Sequence, residues 1–278
     1  MTSTPVRYLT EEQQPSLLFS VCTLVASAEK YERLLASFEK FGFTSENTEF
    51  IALDNRDGNR FDGYRALRAA FPHCRGEFIL YTHDDIELIE DGADDLLAVL
   101  RDLDAKDPNW SLAGNSGWTL GPPEKLLIHL RDPHGDRRQV KAPKRVGGLD
   151  ESFLVMPRAR VVFPSLDLSG FHLFATDMVE QSRFAGGGAY VIPFYLEHHS
   201  GGTPSPELRR SVDRFERKYT RLNLRHRIKA PAITTYMGFA GDLQRSWDSL
   251  VALIDNKISA LGRKASALTG KPAGKVSG

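Results

Sequence analysis

The sequence predicts an α/β fold with a mostly parallel central sheet, helices on both faces and a helical C-terminal extension. Three observations predict it. Apolar runs of strand length alternate with segments of helical spacing through the first half of the chain, and strands separated by helices pair in parallel through crossover connections. The 278 residues suffice for one large domain with an appendage. With 41% hydrophobic and 26% charged residues, the composition is that of an ordinary soluble globule. The expected organisation is a flexible polar N-terminus over 1–15, the α/β domain over 16–203 and a helical extension over 204–262. A disordered tail rich in Lys, Ala, Ser and Gly is expected over 263–278.

Residues 17–23 are a short apolar run fit for a buried strand. Over 29–41, Tyr31, Leu34, Leu35 and Phe38 recur at helical spacing, and Gly42 supplies a stop. A second strand over 48–53 ends in Asp54-Asn55, with turn chemistry at 56–59. A helix over 63–71 runs into Pro72, and Gly76 introduces a third strand that ends abruptly in Asp84-Asp85. A helix over 92–103 carries Leu96, Leu97, Val99 and Leu100, and 110–114 reads as a fourth strand. Beyond Gly121 the alternation loosens. A hairpin is expected with 126–130 and 139–140 around a turn at 132–136, then short strands at 153–156 and 161–163. A helix over 174–184 precedes a strand over 189–196, which ends in Glu197-His198-His199-Ser200-Gly201-Gly202. Amphipathic helices over 206–222 and 242–261 follow. Their apolar stripes are Leu208, Val212, Phe215, Tyr219 and Trp247, Leu250, Leu253, Ile254, Ile258.

Composition excludes several classes. The formal net charge is zero, so no bulk field draws the chain to nucleic acid or to an anionic membrane. No run approaches the roughly 18 apolar residues of a membrane span, and the N-terminus lacks the apolar core of a signal peptide. Cys22 and Cys74 make no metal spacing and read as reduced thiols. The expected location is the cytoplasm, with peripheral membrane association left open.

The chemistry concentrates where apolar strands end in acids. Asp and Glu are almost never fully buried unless paired or bound to a metal. A hard cation such as Mg²⁺ takes carboxylates together with substrate phosphates. Asp54 and Asp84-Asp85 fall on the same rim, beyond the carboxyl ends of strands, where ligands of such sheets bind. A solvated acidic turn is the alternative. Neighbours on a strand point to opposite faces, so His83 and Asp85 share a side. That makes Asp85 the direct ligand, and Asp84 a ribose contact or an outer support. Glu197-His198-His199 caps another apolar strand, and one of the two histidines reads as a metal or phosphate group, with Gly201-Gly202 permitting close approach. Asp177 starts a helix in an apolar segment. It either complements the helix dipole or serves as a general base. Asp150-Glu151, after Gly147-Gly148, reads first as a solvated turn and second as a further carboxylate site. Arg209, Arg210, Arg214, Arg217 and Lys218 form a basic helical face, mostly solvated, with some cations open to phosphate.

Taken in order, these pieces resemble GT-A glycosyltransferases, close to the family 2-like enzymes, over about residues 17–202. Residues 21–26 resemble the first nucleotide-contacting strand and turn, and Asp54 the acidic residue that reads the base. Phe61-Asp62-Gly63-Tyr64-Arg65 and Arg75-Gly76-Glu77-Phe78-Ile79 are similar to the lead into the metal motif, and His83-Asp84-Asp85 stands at Asp-X-Asp. Leu149-Asp150-Glu151-Ser152-Phe153-Leu154-Val155 resembles the acceptor-side strand, residues 171–178 the segment of the catalytic carboxylate, and His198-His199-Ser200-Gly201-Gly202 the element that completes the metal site. The resemblance implies Mn²⁺ or Mg²⁺ held by Asp85 and His198, and a nucleotide-diphosphate sugar donor met by Val25, Asp54, Arg65, Asp84 and Asp150. It also implies Asp177 as base, a glycan or other hydroxyl acceptor, inversion at the anomeric carbon and a place in polysaccharide biosynthesis. There are departures: His83 replaces the first Asp, Arg65 stands where relatives often carry Asn, and Ala175-Thr176-Asp177 lacks a Glu-Asp or Tyr-Asp pair. Two rivals stay open. A nucleotidyltransferase would carry a Gly-rich loop after the first strand, which Leu24-Val25-Ala26-Ser27-Ala28 is not. A non-catalytic sugar-nucleotide or glycan-binding protein could share the fold.

Overall fold

The structure is a computed structural model that describes residues 14–201, 206–221, 227–230, 233–236 and 238–269. Strand β1 (Leu17–Val25) leads into helix α1 (Ala28–Lys40), whose start is capped by Ser27, its hydroxyl accepting the Lys30 N–H. Strand β2 (Thr48–Asp54) pairs in parallel with β1. Helix α2 (Ala66–Ala70) is shorter than the expected 63–71. Gly63 is instead pinned outside it: its N–H donates to the Gly170 carbonyl, and a Cβ there would lie 2.3 Å from the Phe174 ring. Strand β3 (Gly76–His83) pairs in parallel on the other side of β1. Only glycine fits at its first position, since a Cβ on Gly76 would fall 2.3 Å from the Ser20 nitrogen.

Strand β4 (Ile86–Leu88), helix α3 (Ala93–Lys106) and strands β5 (Trp110–Gly114) and β6 (Ser116–Thr119) follow. Strands β7 (Leu126–Asp132) and β8 (Gly135–Arg138) form a hairpin where one was expected, but the turn is only Pro133-His134 and the second strand is 135–138 rather than 139–140. Then come β9 (Lys144–Leu149), β10 (Phe153–Pro157), α4 (Phe174–Phe184), β11 (Gly188–Val191) and β12 (Leu196–His198). Helix α5 (Pro206–Arg221), a small pair β13 (Arg227–Ala230) and β14 (Ile233–Tyr236), and helix α6 (Gly238–Thr269) end the described chain.

One 12-stranded sheet runs β2-β1-β3-β10-β5-β11-β9-β6-β7-β12-β4, with β8 beside β7. The α/β class is as expected, but the sheet is mixed rather than mostly parallel. The parallel block is β2-β1-β3, and β10 lies antiparallel between β3 and β5. From β5 to β10 the chain runs strand to strand with no helix, and the ladders there are largely antiparallel, the arrangement that short strand-to-strand links allow. Helices do cover both faces. Phe19, Val21, Phe78 and Leu80 pack with Leu34 and Phe38 of α1 and Leu96, Leu100 and Leu103 of α3 in one buried cluster. Tyr81, on the opposite face by strand alternation, meets Phe174 of α4 with ring centroids 5.3 Å apart. Cys22 and Cys74 are buried free thiols with sulfurs 3.6 Å apart.

Three element expectations are corrected. Residues 161–163 join no ladder: Phe163 packs edge-on against Phe71 and under Arg68, and Pro164 cannot donate to a strand partner. The strand expected over 189–196 breaks at Pro193 into β11 and β12 for the same reason. Helix α6 runs on to Thr269, so residues 263–269 of the expected tail are helical, in keeping with Ala265, Ala267 and Leu268 as strong helix formers. Residues 1–13 and 270–278 lie outside the described residues.

The chain divides into two compact units, Met1–Phe215 with Lys229–Ile233, and Glu216–Ile228 with Thr234–Gly278. The first carries the large sheet, with Leu208, Val212 and Phe215 of α5 buried as expected. In the second, Glu216 accepts the Tyr236 N–H and pairs with Arg245, while the Tyr236 hydroxyl donates to Asp248. The expected stripe of α6, Trp247, Leu250, Leu253, Ile254 and Ile258, is exposed. Among the described residues no helix is long and apolar enough to cross a membrane.

Candidate metal centre

Register assembles the site. Strand β10 runs antiparallel to β3 with Phe153 opposite Thr82, and the His83 N–H donates to the Ser152 carbonyl at 3.0 Å. The end of β3 and the turn before β10 therefore lie side by side, which sets Asp150 near His83 and Glu151 in the same cleft. Asp84 and Asp85 form the tight turn from β3 into β4. Strand β12 pairs antiparallel with β4, His198 opposite Ile86, and the His199 N–H donates to the Asp85 carbonyl at 3.1 Å. Segments more than a hundred residues apart thus bring His198 onto Asp85.

His83, Asp85 and His198 each offer one ligand atom, all within 4.8 Å of one another. Asp85 Oδ1 lies 3.3 Å from His198 Nε2 and 3.9 Å from His83 Nδ1, and Lys30 Nζ stands 3.5 Å from Oδ2. Oδ1 is buried and makes no hydrogen bond. A buried carboxylate oxygen left open between two imidazoles is costly alone and fits a divalent cation. Burial by itself would raise the Asp85 carboxyl, but His198, His83 and Lys30 outweigh it and hold the group well below the usual carboxylate range. Burial would likewise lower His198, yet Asp85 and then Asp150 hold it above its ordinary value. Strand alternation settles which histidine faces the cluster. His199 turns away and places Nε2 2.9 Å from Glu87 Oε1, a carboxylate shared with Arg33. His83, expected only as the first position of the motif, is a third donor.

The cluster opens on a cleft of about 550 Å³ at the carboxyl ends of β1, β2 and β3. Leu24, Ala26 and Asn55 line one side and the alternating Leu126, Ile128 and Leu130 of β7 another, with Asp150, Glu151 and His172 between.

The other expected residues are placed unevenly. Asp150 lines the cleft, with Oδ1 taking the Ser152 N–H at 2.9 Å. Asp84 lines it too, but Oδ2 is committed to the Ala26 and Ser27 N–H groups at 2.7 and 2.8 Å, so Asp84 fixes the turn between β1 and α1. Val25 is buried, and its neighbours Leu24 and Ala26 reach the cleft in its place. Asp54 is not brought in. Arg56 grips it with Nε at 2.9 Å, Arg60 adds a second cation, and Arg56 holds the carboxyl far below its ordinary range. Asn55, the next residue, takes the lining position and clamps the loop through the Phe61 carbonyl and N–H at 2.7 and 2.9 Å. Arg65 is exposed and paired with Asp62 at 2.6 Å, away from the cleft. Asp177 is fully buried and also outside it. Ser165 folds over the first turn of α4, donating its N–H and hydroxyl to the two carboxylate oxygens at 2.6 and 2.8 Å. Among the described residues, Leu208 alone of the basic helix lines the cleft, and the Lys or Arg on its wall is Arg137 of β8.

No family model matches the chain. It is similar to GalNAc-T7, in a crystal structure with UDP, GalNAc and Mn²⁺, at 12% identity and a TM-score of 0.48, over 73% of this chain and 50% of that one. It is also similar to the mannosyltransferase PcManGT from Pyrobaculum calidifontis in complex with GDP-Man and Mn²⁺. There the identity is 12% and the TM-score 0.43, over 76% of this chain and 64% of that one. The chain thus spans half the length of the first and under two thirds of the second, and at such scores neither likeness fixes an activity. The ATP synthase subunits region ORF 6 protein of Fuscovulum blasticum is 40% identical over 219 residues, covering 77% of this chain and 88% of the relative. Its name carries no activity, but identity over that span shows descent: the chain belongs to the family of the Fuscovulum blasticum ORF 6 protein.

Proposed function

We propose that the chain is a metal-dependent GT-A glycosyltransferase that moves a sugar from a nucleotide-diphosphate sugar to a hydroxyl acceptor. The observation that carries the reading is the His83, Asp85 and His198 cluster at the mouth of a cleft over the carboxyl ends of parallel strands. These three side chains would hold Mn²⁺ or Mg²⁺, and the two imidazoles favour Mn²⁺, since imidazole suits transition metals better than hard Mg²⁺. The cation, when bound, supplies Lewis-acid charge that stabilises the departing nucleoside diphosphate. The chain's own residues position the donor. Leu24, Ala26 and Asn55 form a wall at the strand ends for the base and ribose, Arg137 offers a cation to phosphate, and Asp150 is placed to accept sugar hydroxyls. The acceptor then attacks in line, with inversion at the anomeric carbon.

Thermal unfolding with UDP- and GDP-linked sugars, each with and without Mn²⁺, tests this. A donor at a hundred times its Kd should raise Tm by about 5–10 °C, and only with the metal present. If no nucleotide sugar shifts Tm with Mn²⁺, the reading fails. Binding without release of nucleoside diphosphate would favour the non-catalytic alternative.

A further inference from the structure

We propose that Glu151, rather than Asp177, is the catalytic base that takes the proton from the acceptor hydroxyl. This deepens the sugar-transferase reading and rests on it. Glu151 lines the cleft beside Asp150 and His172. The turn that carries it is tied to the metal cluster through the bond from the His83 N–H to Ser152. Its Oε1 accepts the N–H of Leu173, the residue immediately before α4. Leu173 has φ +66° and ψ 11°, a left-handed conformation costly for a residue other than glycine. Such strain persists where the surrounding structure enforces it, and it clusters at working sites. Here it aims the N–H of the N-cap residue of α4 at the carboxylate.

Two opposed influences act on that carboxylate. Burial, and then the Asp150 charge, outweigh the lowering by the Leu173 N–H and leave it pushed up to about 8, and the positive end of the α4 dipole favours the anion. A base is most effective with its pKa near the working pH, which an ordinary carboxylate does not reach. The other ionisable groups around it are Asp150, on its own turn, His172, which burial holds below its ordinary value, and Tyr64 and Tyr81, whose hydroxyls are already given to the His172 and Gly63 carbonyls. Asp177, with both oxygens taken by Ser165, is held inside the protein.

In the step, a lone pair of the acceptor oxygen forms the new bond to the anomeric carbon. The bond from that carbon to the diphosphate oxygen breaks, and its electron pair leaves on the nucleoside diphosphate. The hydroxyl proton passes to the Glu151 carboxylate.

The test compares Glu151→Gln, Glu151→Asp and Asp177→Asn with the wild type. The measurements are donor turnover against pH, Mn²⁺-dependent UDP and GDP binding by calorimetry, and a ¹³C-carboxyl NMR titration of the wild type that assigns Glu151. Glu151→Gln should lose about 10²–10⁴-fold in kcat with nucleotide and metal binding little changed, and Glu151→Asp should restore part of it. The acid limb of the wild-type rate profile should follow the Glu151 titration and vanish in Glu151→Gln. Turnover at the wild-type rate in Glu151→Gln would overturn the assignment. So would a Glu151 carboxyl that stays protonated across the active pH range in the Mn²⁺- and UDP-bound protein, a result that does not depend on how the variants fold. If the wild type binds neither UDP nor GDP with Mn²⁺, the transferase reading fails and this assignment falls with it.

Discussion

Replacing Asp85 by Ala is expected to weaken Mn²⁺ binding by more than about 100-fold, since loss of a group that merely supports a metal ligand already costs 10–100-fold. Asp85 is the one carboxylate among the three donors, and its Oδ1 is the buried oxygen left open between them. Without it, two neutral imidazoles remain, and Lys30, now 3.5 Å from where the carboxylate stood, repels any cation. Nucleotide binding that depends on the metal should disappear with it. Asp85→Asn keeps the shape and one acceptor oxygen but not the charge, and should fall between. Calorimetry with MnCl₂ alone and then with UDP or GDP measures both effects, and circular dichroism checks the fold. Unchanged metal dependence of nucleotide binding in Asp85→Ala would move the centre elsewhere.

Some of this arrangement is legible in the chain and some is not, for physical reasons. The parallel block of β2, β1 and β3 is readable because each strand is a local apolar run with a helix after it. The abrupt change from Tyr81 to Asp85 marks the rim for the same reason, and period-two alternation puts His83 on Asp85's side. What alternation cannot supply is long-range pairing. The insertion of β10 between β3 and β5 depends on contacts about forty and about seventy to eighty residues apart along the chain, and it is this insertion that delivers Glu151. As sequence, Asp150-Glu151 after two glycines is a solvated turn. Only the fold closes it with the N–H of Leu173, 22 residues away. Asp177 is the opposite case. Its place in the first turn of a helix is real, but the Ser165 loop that covers it leaves no mark in local pattern. Asp54 carried a usable signal, for Arg56 and Arg60 follow closely enough to neutralise it.

Asp84→Ala should separate the two adjacent acids. Asp84 is buried, and one oxygen accepts two backbone N–H groups, from Ala26 at 2.7 Å and Ser27 at 2.8 Å. Those groups make the turn between β1 and α1, where Ser27 caps the helix. Hydrogen bonds to a charged acceptor contribute about 1.5–3 kcal/mol each, and removing the acceptor leaves both donors unsatisfied. Two bonds sharing one oxygen are not additive, so the expected loss of stability is roughly 3 kcal/mol in Ala. In Asn, which keeps an oxygen but loses the charge, it should be about half that. Asp84 is not one of the three donor residues, so binding of Mn²⁺ alone should persist. The turn carries Leu24 and Ala26 into the cleft wall, so nucleotide affinity should fall along with stability and recover partly in Asn. Urea unfolding of the three proteins, paired with Mn²⁺ calorimetry, reads this out. Loss of metal binding in Asp84→Ala as deep as in Asp85→Ala would make Asp84 a ligand, and unchanged stability would mean that the turn is held by other groups.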